Sequence, residues 1–471
     1  MSTLGGEFRQ NPVIVPKFAG WEKLTCKKHR HILKYTMLLK RKGMGKLALI
    51  EELSKTELES RAQELRGQYE EYKAMGLQLN MARGKPGPEQ LDLTMDLLNC
   101  VDARSGAVSE NGEDARNYGM LDGIPEAKRL FGEVLEIDPA QIIVGGNSSL
   151  NMMFDYIAMA YAKGVGGCEP WCRQGAVKFL CPAPGYDRHF AVTEYFNIEL
   201  VTVPMTDEGP DMDEVERLAA DPLVKGIWCV PMYSNPGGIT YSDATVRRLA
   251  AMETGAPDFR IMWDNAYGLH HLSDDHDHLL NLYDELVKYR HEDRAILFCS
   301  TSKISFPGAG VAAMGASPAN IAQVKNRMSF QTIGYDKLNM LRHVRFFRDR
   351  SGLEAHMKLH AAILRPKFAV VLETLDKKLG GKGVAAWHEP KGGYFVSVDL
   401  PAGCAKRTVK LLKEAGVVLT GAGATYPYGK DPEDSNLRIA PTYPPVAELR
   451  TAMELFCICA ELCAVEKLLD C

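Results

Sequence analysis

The sequence predicts an α/β fold with a mostly parallel sheet in a large domain, joined to a smaller α/β domain. Up to about residue 300, short apolar runs rich in β-branched residues alternate with segments of helical period, which is typical of a parallel sheet covered by helices. Polar residues with chemically useful side chains follow several of these runs. The runs predicted as strands of the large sheet are 142–144, 177–181, 200–203, 226–230, 260–263 and 295–299.

A helix is predicted ahead of this region. Ser54 and Glu57 have the spacing of a capping box, and Leu58 and Leu65 belong to a row of apolar residues at three- and four-residue steps. One face of this helix is therefore expected to pack on a core. The run MARGKPGP at 81–88 contains two glycines and two prolines, and it predicts an irregular connector after the helix.

The C-terminal part of the chain has a different pattern. A long amphipathic helix is predicted over 353–379, followed by short apolar runs between glycine and proline turns. This pattern predicts a smaller α/β domain with three short strands, at 394–398, 417–420 and 437–439. The expected parts of the chain are a basic, poorly ordered extension at 1–46, a large domain at 90–350, and a small domain made of 47–89 and 351–471.

Composition argues against several classes of protein. The 56 basic and 60 acidic residues give a net charge of −4, which does not favour a nucleic-acid partner. No apolar stretch reaches the length of a membrane span, about 18 residues, and no secretory signal is evident. Twelve cysteines in 471 residues are too few for a disulfide scaffold, so we expect reduced thiols and a cytoplasmic location. Cys457, Cys459 and Cys463 lie among apolar residues at helical steps, which predicts small buried residues of a terminal helix.

Reactive side chains follow the predicted strands. Lys303 comes after one strand, among small hydroxyl residues, where a partly desolvated amine can act as a nucleophile. Asp264 and Tyr267 follow the strand before it, and Asn235 lies in the turn after an earlier strand. The turn Gly-Gly-Asn-Ser-Ser at 145–149 precedes a predicted helix, whose N-terminus suits a phosphate.

These groups are expected to lie close together. The carboxyl ends of parallel strands meet at one edge of a sheet, so an amine, a carboxylate, an amide with a phenol, and an anion site share that edge. Pyridoxal phosphate requires these groups: an amine that bonds it, an acid beside its ring nitrogen, donors to its phenolic oxygen, and a phosphate site.

The motifs also resemble those of a known family. Their order along the chain, Asn-Pro-Gly-Gly, Asp-Asn-Ala-Tyr, Ser-Thr-Ser-Lys and Asn-Leu-Arg-Ile-Ala, resembles that of fold-type I pyridoxal phosphate aminotransferases. The longer segments RGKPGPEQLDL, CPAPGYDRHFAVTE and QTIGYDKLN are similar to the bacterial aspartate aminotransferase subgroup Ic. The resemblance covers residues 47–465. It implies the pyridoxal phosphate-dependent transferase fold of type I, pyridoxal 5′-phosphate as cofactor, and a homodimer.

The resemblance implies a role for each residue around the cofactor ring. Lys303 would be the catalytic lysine that bonds the cofactor and moves the proton, and Asp264 would be the partner of the pyridine nitrogen. Asn235 and Tyr267 would form hydrogen bonds to the phenolic oxygen, and Tyr186 would stack on the ring.

The resemblance likewise implies residues for the phosphate and the substrate. Ser148, Ser149 and Ser300 would bind the phosphate, and Tyr118 would reach the phosphate of the neighbouring subunit. Arg438, together with Asn235, would bind the substrate α-carboxylate, which suits the planar fork of a guanidinium group.

This chain departs from the family at one position. Relatives place an arginine shortly after the lysine, whereas this chain reads FPGAGV at 306–311, so the cation for the phosphate is absent or comes from elsewhere. Lys325 and Arg327 are candidates for that cation. The residue that binds a distal carboxylate also stays open, and the candidates are Arg83, Lys85, Arg116 and Arg188.

The function implied by the resemblance is transfer of an amino group from L-aspartate to 2-oxoglutarate, which forms oxaloacetate and L-glutamate. The alternatives are a transaminase for aromatic or neutral amino acids, and a β-lyase or decarboxylase of the same fold. A cofactor-sensing transcription regulator would need a DNA-binding module of about sixty residues before the fold, whereas about 46 residues precede Leu47. The expected partners are small-molecule amino acids and 2-oxo acids, with no nucleic acid and no membrane.

A histidine-rich stretch raises the question of a metal site. Residues 270–278 contain four histidines and three aspartates, and these side chains are common metal ligands. The histidines lack a two-pair spacing on one element, however, and a solvated loop accounts for the composition. The prediction is that the protein has no metal site.

We expect deletion of residues 1–43 to leave the melting temperature and the turnover nearly unchanged. Residues 23–46 carry nine lysines and arginines and no acidic residue, and a segment of this kind buries little apolar surface. Calorimetry and steady-state rates of the full and shortened chains test this. A melting temperature lower by several degrees would show that the extension packs on the folded body.

Overall fold

The computed structural model describes residues 49–470. The basic extension predicted at 1–46 lies outside the described residues. The α-helices are α1 Lys55–Ala74, α2 Pro88–Asp92, α3 Pro125–Leu135, α4 Ser149–Lys163, α5 Asp187–Tyr195, α6 Met212–Ala219, α7 Asp243–Ala251, α8 Leu282–Tyr289, α9 Pro318–Met328, α10 Lys337–Phe347, α11 Arg350–Leu379, α12 Ala405–Glu414 and α13 Val446–Leu469. The strands are β1 Leu79–Asn80, β2 Ile142–Val144, β3 Lys178–Ala183, β4 Glu199–Thr206, β5 Gly209–Pro210, β6 Val224–Cys229, β7 Arg260–Asp264, β8 Ala295–Ser300, β9 Ala312–Ala316, β10 Ala386–Trp387, β11 Val396–Asp399, β12 Val417–Val418 and β13 Asn436–Ile439. Short 3-10 turns occupy Ile50–Glu52, Met95–Asn99, Pro139–Gln141, Trp171–Arg173, Glu292–Arg294 and Pro427–Gly429.

The large sheet has eight strands in the order β2-β9-β8-β7-β6-β3-β4-β5. Its central strands β8, β7, β6, β3 and β4 are parallel neighbours. The six runs predicted as strands of this sheet correspond to β2, β3, β4, β6, β7 and β8, and the predicted α/β class is confirmed. Strand β9, which is antiparallel to both β2 and β8, was not predicted because its sequence AAMGA contains no β-branched residue.

Helices cover both faces of this sheet, so successive residues of a strand enter different cores. On β7, Ile261 and Trp263 belong to the core on one face, and Met262 belongs to the core on the other. On β2, Val144 and Ile143 divide in the same way. A strand buried on both faces reads as a continuous apolar run, which is why these segments are recognisable in the sequence.

A second sheet lies in the C-terminal part of the chain. It has three antiparallel strands in the order β10-β11-β13, and the apolar residues of its strands share a core with helices α1, α11 and α13. The expected strand at 417–420 differs from its prediction: β12 pairs in parallel with β1 in a separate two-stranded sheet. Its partner precedes it by more than three hundred residues, a distance over which a sequence pattern gives no pairing. The division into a domain at 90–350 and a domain of 47–89 and 351–471 stays a prediction.

The predicted N-terminal helix and the buried cysteines are both present. Ser54 caps α1, with the Glu57 amide donating to its Oγ at 3.4 Å and its own amide donating to the Glu57 carboxylate at 2.8 Å. This reciprocal pair confirms the predicted capping box. The cysteines at 457, 459 and 463 are buried in α13, as predicted. All cysteines between residues 49 and 470 are free thiols.

Candidate active site

Three neighbouring strands of the large sheet end at one edge and carry the predicted reactive side chains. Strands β6, β7 and β8 are parallel neighbours. Asp264 is the last residue of β7, Lys303 follows β8, and Asn235 lies in the turn after β6. The parallel register therefore brings these side chains to the same edge, where open α/β sheets bind their ligands.

Asp264 is a buried carboxylate with only one oxygen in use. Its Oδ2 lies 3.0 Å from Nε2 of His189, whereas its Oδ1 is buried without a hydrogen-bond partner among residues 49–470. His189 stacks on Trp228 with 4.5 Å between the ring centroids, so packing also fixes its orientation. An unpartnered buried acceptor is unfavourable. The geometry leaves Oδ1 available to a ligand that brings a hydrogen-bond donor.

The amine of Lys303 lies over an aromatic ring. Its Nζ is 4.8 Å from the centroid of the Tyr267 ring. Burial raises the pKa of Tyr267, and the nearby charge of Asp264 raises this pKa further. The phenol consequently stays protonated at neutral pH and can donate a hydrogen bond.

Tyr186 places an uncharged aromatic surface beside this group. It caps the start of α5 and is half-buried, and its ring meets that of His189 edge-on at a centroid distance of 4.9 Å. Burial raises the pKa of Tyr186 to about 12, and the positive charge of Lys303 opposes this rise. Its phenol therefore also remains protonated at neutral pH.

A buried guanidinium group lies next to Asn235. Arg438, on β13, donates from Nη1 to Oδ1 of Asn235 at 3.0 Å and from Nη2 to Oγ1 of Thr420 at 3.2 Å. Nη1 also donates to the partly buried Asp187 at 3.3 Å. The guanidinium carbon lies 4.9 Å from the centroid of the Phe395 ring, and Nε has no partner in the part of the chain described. This fork retains donors for a carboxylate ligand.

The predicted phosphate serines lie around one helix N-terminus. Ser148 is the N-cap residue of α4, its side chain makes no capping hydrogen bond, and Ser149 is the first helical residue. Ser300, at the end of β8, donates to Oγ of Ser302 at 3.1 Å, and Ser302 donates to the carbonyl of Asn147 at 3.0 Å. The three predicted serines are thereby joined at a site where backbone N–H groups favour an anion.

Tyr118 is set apart from this group. Its side chain is 80% exposed, and the segment beside it is 334–338 rather than the strand ends. Lys337 donates from Nζ to the carbonyl of Gly119 at 3.2 Å, which ties the two segments together. The role predicted for Tyr118 in a neighbouring subunit stays a prediction.

The cations considered for the phosphate are paired elsewhere. Lys325 forms an ion pair with Asp122 at 2.8 Å, and Arg327 forms one with Asp155 at 3.1 Å. Binding a phosphate through either side chain would therefore compete with an existing carboxylate partner.

The four candidates for a distal carboxylate differ in their surroundings. Arg116 forms an ion pair with Asp114 at 2.7 Å, and Nζ of Lys85 lies 4.0 Å from the centroid of the Tyr443 ring. Arg83 and Arg188 are exposed. The last two are the better candidates, because Arg116 would have to give up its ion pair and Lys85 its ring contact to bind a ligand.

Three residues of the site were not singled out from the sequence. His189 holds Asp264, while Thr420 and Asp187 hold Arg438. A local signal exists for His189, which lies on the first turn of α5 shortly after Tyr186. Thr420 carried no such signal, because its role depends on Arg438, which lies on β13 and is distant in the sequence.

Comparison with known proteins identifies the family. A family model described as aspartate amino-transferase matches residues 53–471. The chain belongs to the aspartate aminotransferase family. An aspartate aminotransferase of Corynebacterium glutamicum is 44% identical over 405 residues, which make up 86% of this chain and 94% of that protein. Membership makes this chain a pyridoxal phosphate-dependent transaminase, as predicted.

Solved structures agree with this assignment. The crystal structure of an aspartate transaminase from Corynebacterium glutamicum has a TM-score of 0.87 at 42% identity, and the match covers 89% of this chain and 99% of that one. An α-aminoadipate aminotransferase of Thermus thermophilus, complexed with N-(5′-phosphopyridoxyl)-L-leucine, has a TM-score of 0.66 at 19% identity. That match covers 83% of this chain and 94% of the other, and it shows the shared fold. The predicted fold type I is confirmed.

The histidine-rich stretch of this family member is held by ring contacts. His271 stacks on His276 with 3.9 Å between centroids, and the Tyr233 hydroxyl lies 2.8 Å from Nδ1 of His271. Burial and the neighbouring His276 together lower the pKa of His271 to about 4. Among the described residues, no three His, Cys, Asp or Glu side chains are grouped as a metal site would require. None of the described helices is long and apolar enough to cross a lipid bilayer.

Proposed function

We propose that this transaminase moves the amino group of L-aspartate to 2-oxoglutarate, with oxaloacetate and L-glutamate as products. The observation that carries the proposal is the buried guanidinium of Arg438, which Asn235 and Thr420 orient at the edge of the sheet where Lys303 and Asp264 lie. A guanidinium in this position suits the α-carboxylate that all amino acid substrates share. The aspartate aminotransferase that is 44% identical supports aspartate as the donor.

The residues present fit pyridoxal phosphate. The unpartnered Oδ1 of Asp264 is the acceptor that a protonated ring nitrogen needs, and the buried phenol of Tyr267 is a donor for the phenolic oxygen. Asn235 would assist at the same oxygen, and Tyr186 would pack on the ring. When bound, this cofactor supplies a carbonyl carbon that bonds amines and a ring that accepts electrons from the substrate α-carbon. The serines at 148, 149 and 300 would hold its phosphate.

Lys303 would perform the proton chemistry. Its Nζ lies over the Tyr267 ring, at the edge of the sheet that also carries Asp264. As a free amine, Nζ would take the proton from the substrate α-carbon and deliver it to the cofactor carbon that becomes the amine-bearing atom. Asp264 would keep a proton on the ring nitrogen throughout, because its negative charge favours the protonated form.

We expect Lys303→Ala to abolish the visible absorption band of the bound cofactor and to reduce transamination to a trace. The reason is that Lys303 is the amine at this sheet edge in the described structure. Lys178→Ala is the matched control, because Lys178 begins β3 at the opposite end of the parallel strands and pairs with Asp221. Spectra and steady-state rates of both variants decide the matter. A Lys303→Ala protein with the band of the parent and a normal rate would exclude the assignment.

Arg83 is the best-placed reader of a distal carboxylate. The carbonyl of the preceding residue, Ala82, accepts a hydrogen bond from Oγ1 of Thr420 at 2.6 Å, and the same Oγ1 accepts from Arg438. Thr420 thus links the segment that carries Arg83 to the Arg438 guanidinium, which is assigned to the α-carboxylate. Arg83 would therefore bind the second carboxylate of a dicarboxylic amino acid whose α-carboxylate is bound by Arg438.

Two arginine variants should therefore have different substrate profiles. Arg438→Ala should reduce kcat/KM for every amino donor, by about 2 to 5 kcal/mol in transition-state binding, because all donors share the α-carboxylate. Arg83→Ala should raise KM for aspartate and 2-oxoglutarate and leave KM for alanine and phenylalanine unchanged. Arg188→Ala is the control, an exposed arginine beside the same site.

Oxo-acid formation by the purified parent and the variants, measured across these donors, tests the proposal. A parent that prefers phenylalanine to aspartate would replace the proposed function with an aromatic transaminase. A dicarboxylate-specific defect in Arg188→Ala, with none in Arg83→Ala, would move the distal reader to Arg188.

A homodimer is the proposed assembly. Tyr118, Phe330 and Ile333 are large apolar or aromatic side chains with exposures of 80%, 87% and 61%. The segments that carry them approach closely, because a Cβ on Gly334 would lie 2.5 Å from the carbonyl oxygen of Gly119. Such a patch is typical of a protein–protein interface, and a second copy of the chain would cover it. Tyr118 would then supply its hydroxyl to the phosphate held by the partner.

We expect Tyr118→Phe to weaken pyridoxal phosphate binding by about 1 to 3 kcal/mol, the usual cost of leaving a buried hydrogen-bond partner unsatisfied. Tyr195→Phe is the control, because Tyr195 is an exposed tyrosine at the end of α5. Equilibrium titration of the apoenzymes measures the effect, and dilution of the parent should release cofactor as the dimer dissociates. Unchanged affinity in Tyr118→Phe would remove Tyr118 from the cofactor site.

A further inference from the structure

Lys303 lies in a loop that no strand pairing holds. The loop between β8 and β9 leaves the sheet, and its backbone is fixed by short turns, such as the Ile304 amide donating to the Thr301 carbonyl at 2.9 Å, and by side chains. On one side of Lys303, the Val311 amide donates to Oγ1 of Thr301 at 2.9 Å. On the other side, Oγ of Ser305 lies 2.8 Å from Nε2 of His343. The orientation of Lys303 itself depends on a third contact, which reaches its own carbonyl.

That contact is a hydrogen bond from a buried tyrosine. The hydroxyl of Tyr394 donates to the carbonyl oxygen of Lys303 at 3.2 Å. Tyr394 is fully buried, and its ring packs against Tyr267 and His270 with centroid distances of 5.9 and 5.4 Å. The phenol that lies beneath Lys303 Nζ and the phenol that holds its carbonyl are therefore in contact.

Gln90 sets the direction of the Tyr394 hydrogen bond. The amide of Gly87 donates to Oε1 of Gln90 at 3.1 Å, so Nε2 of Gln90 faces the other way. This Nε2 donates to the Tyr394 hydroxyl and to Nδ1 of His360, each at 3.0 Å. Because the Tyr394 oxygen accepts from Gln90, its own proton is directed to Lys303. Gln90 has no exposed surface and both its amide protons are in use.

Two buried histidines extend the network. Nδ1 of His360 accepts from Gln90, so the neutral ring carries its proton on Nε2, which lies 3.1 Å from Nε2 of His356. Burial lowers the pKa of His360 to about 3 and also lowers the pKa of His356, so both rings are uncharged at neutral pH. Nε2 of His356 lies 3.2 Å from the carbonyl of Ile304 and 3.2 Å from Oγ1 of Thr94, two residues after the end of α2. The network therefore reaches two successive carbonyls of the loop.

We propose that Gln90, acting through Tyr394, is a positioning residue for Lys303. It fixes the main-chain carbonyl of the lysine in one orientation and so keeps Nζ over the Tyr267 ring. The inference rests on the proposed role of Lys303. It adds to the reaction a residue that touches neither substrate nor cofactor and that comes from the short helix after the irregular connector.

The test compares three variants of the full chain. Tyr394→Phe removes the hydroxyl and keeps the ring, while Gln90→Glu keeps the size of the side chain but replaces the donor to Tyr394 with an acceptor. In the latter variant the hydroxyl of Tyr394 should turn to the carboxylate and leave Lys303. Tyr69→Phe is the matched control, because Tyr69 is also buried and donates from its hydroxyl to a backbone carbonyl, that of Leu411, at 3.1 Å.

The measurements separate positioning from stability. Melting of the apoproteins should show similar losses in Tyr394→Phe and Tyr69→Phe. When apoprotein is mixed with pyridoxal phosphate, the visible band should form about threefold to tenfold more slowly in Tyr394→Phe and Gln90→Glu than in the parent. Their kcat should fall by a similar factor with KM for aspartate unchanged, because the lysine acts after the substrate has bound. Tyr69→Phe should match the parent in both rates.

Several results would overturn the inference. They are rates in Tyr394→Phe and Gln90→Glu that equal those of Tyr69→Phe, an effect in Tyr394→Phe without one in Gln90→Glu, or a rise in KM with kcat unchanged. Failure of the proposed function would be distinguishable, since Lys303→Ala would then retain the visible band. If Tyr394→Phe does not fold, Gln90→Glu alone decides between the outcomes.

Discussion

The buried carboxylate of Asp264 is the constraint on which the site depends. Removing a charge from water costs several kcal/mol unless partners compensate for the lost hydration. The structure supplies one partner, His189, which is itself fixed by stacking on Trp228, and leaves the second oxygen open. Strand β7 fixes the backbone of Asp264, and helix α5 carries both His189 and the neighbouring Tyr186. A ligand that donates a hydrogen bond to Oδ1 would give both oxygens of Asp264 a partner. The residues of β7 and α5 are therefore arranged around this carboxylate.

The two basic side chains of the site are held by different means. Arg438 lies on a strand, so its backbone is fixed by the antiparallel pairing of β11 with β13, and only its guanidinium needs partners. Lys303 lies beyond the end of its strand, where no ladder of hydrogen bonds exists. Besides turns of its own backbone, uncharged side chains fix its loop, including the Tyr394 hydroxyl and the His343 ring. Because these partners are uncharged, they hold the loop without pairing with the amine.

The connector at 81–88 joins the two ends of the site. The Thr420 side chain holds the carbonyl of Ala82, and the short helix that follows the connector places Gln90 in the network behind Lys303. The backbone of the connector passes very close to a side chain at Gly84. A Cβ on Gly84 would come within 2.4 Å of the Phe395 ring, which lies beside the Arg438 guanidinium, so glycine allows the backbone to approach. The segment that predicts an irregular connector thus includes a glycine that close packing requires.

The sequence by itself determined the elements whose signal is local. The strands of the large sheet, the capping box at Ser54 and the reactive residues after strands β6, β7 and β8 could all be predicted, because burial on both faces, helix capping and strand ends leave patterns within a few residues. Only the tertiary structure decided the pairing of β12 with β1 and the place of strand β9, whose sequence is AAMGA. It also decided the hydrogen bonds between His189 and Asp264 and between Gln90 and Tyr394. Residues 75 positions apart form the Asp264 contact, and residues 304 positions apart form the Gln90 contact. Sequence periodicity cannot predict such a contact, because the packing of whole helices and strands brings the two residues together, and the residues next to them in the chain do not.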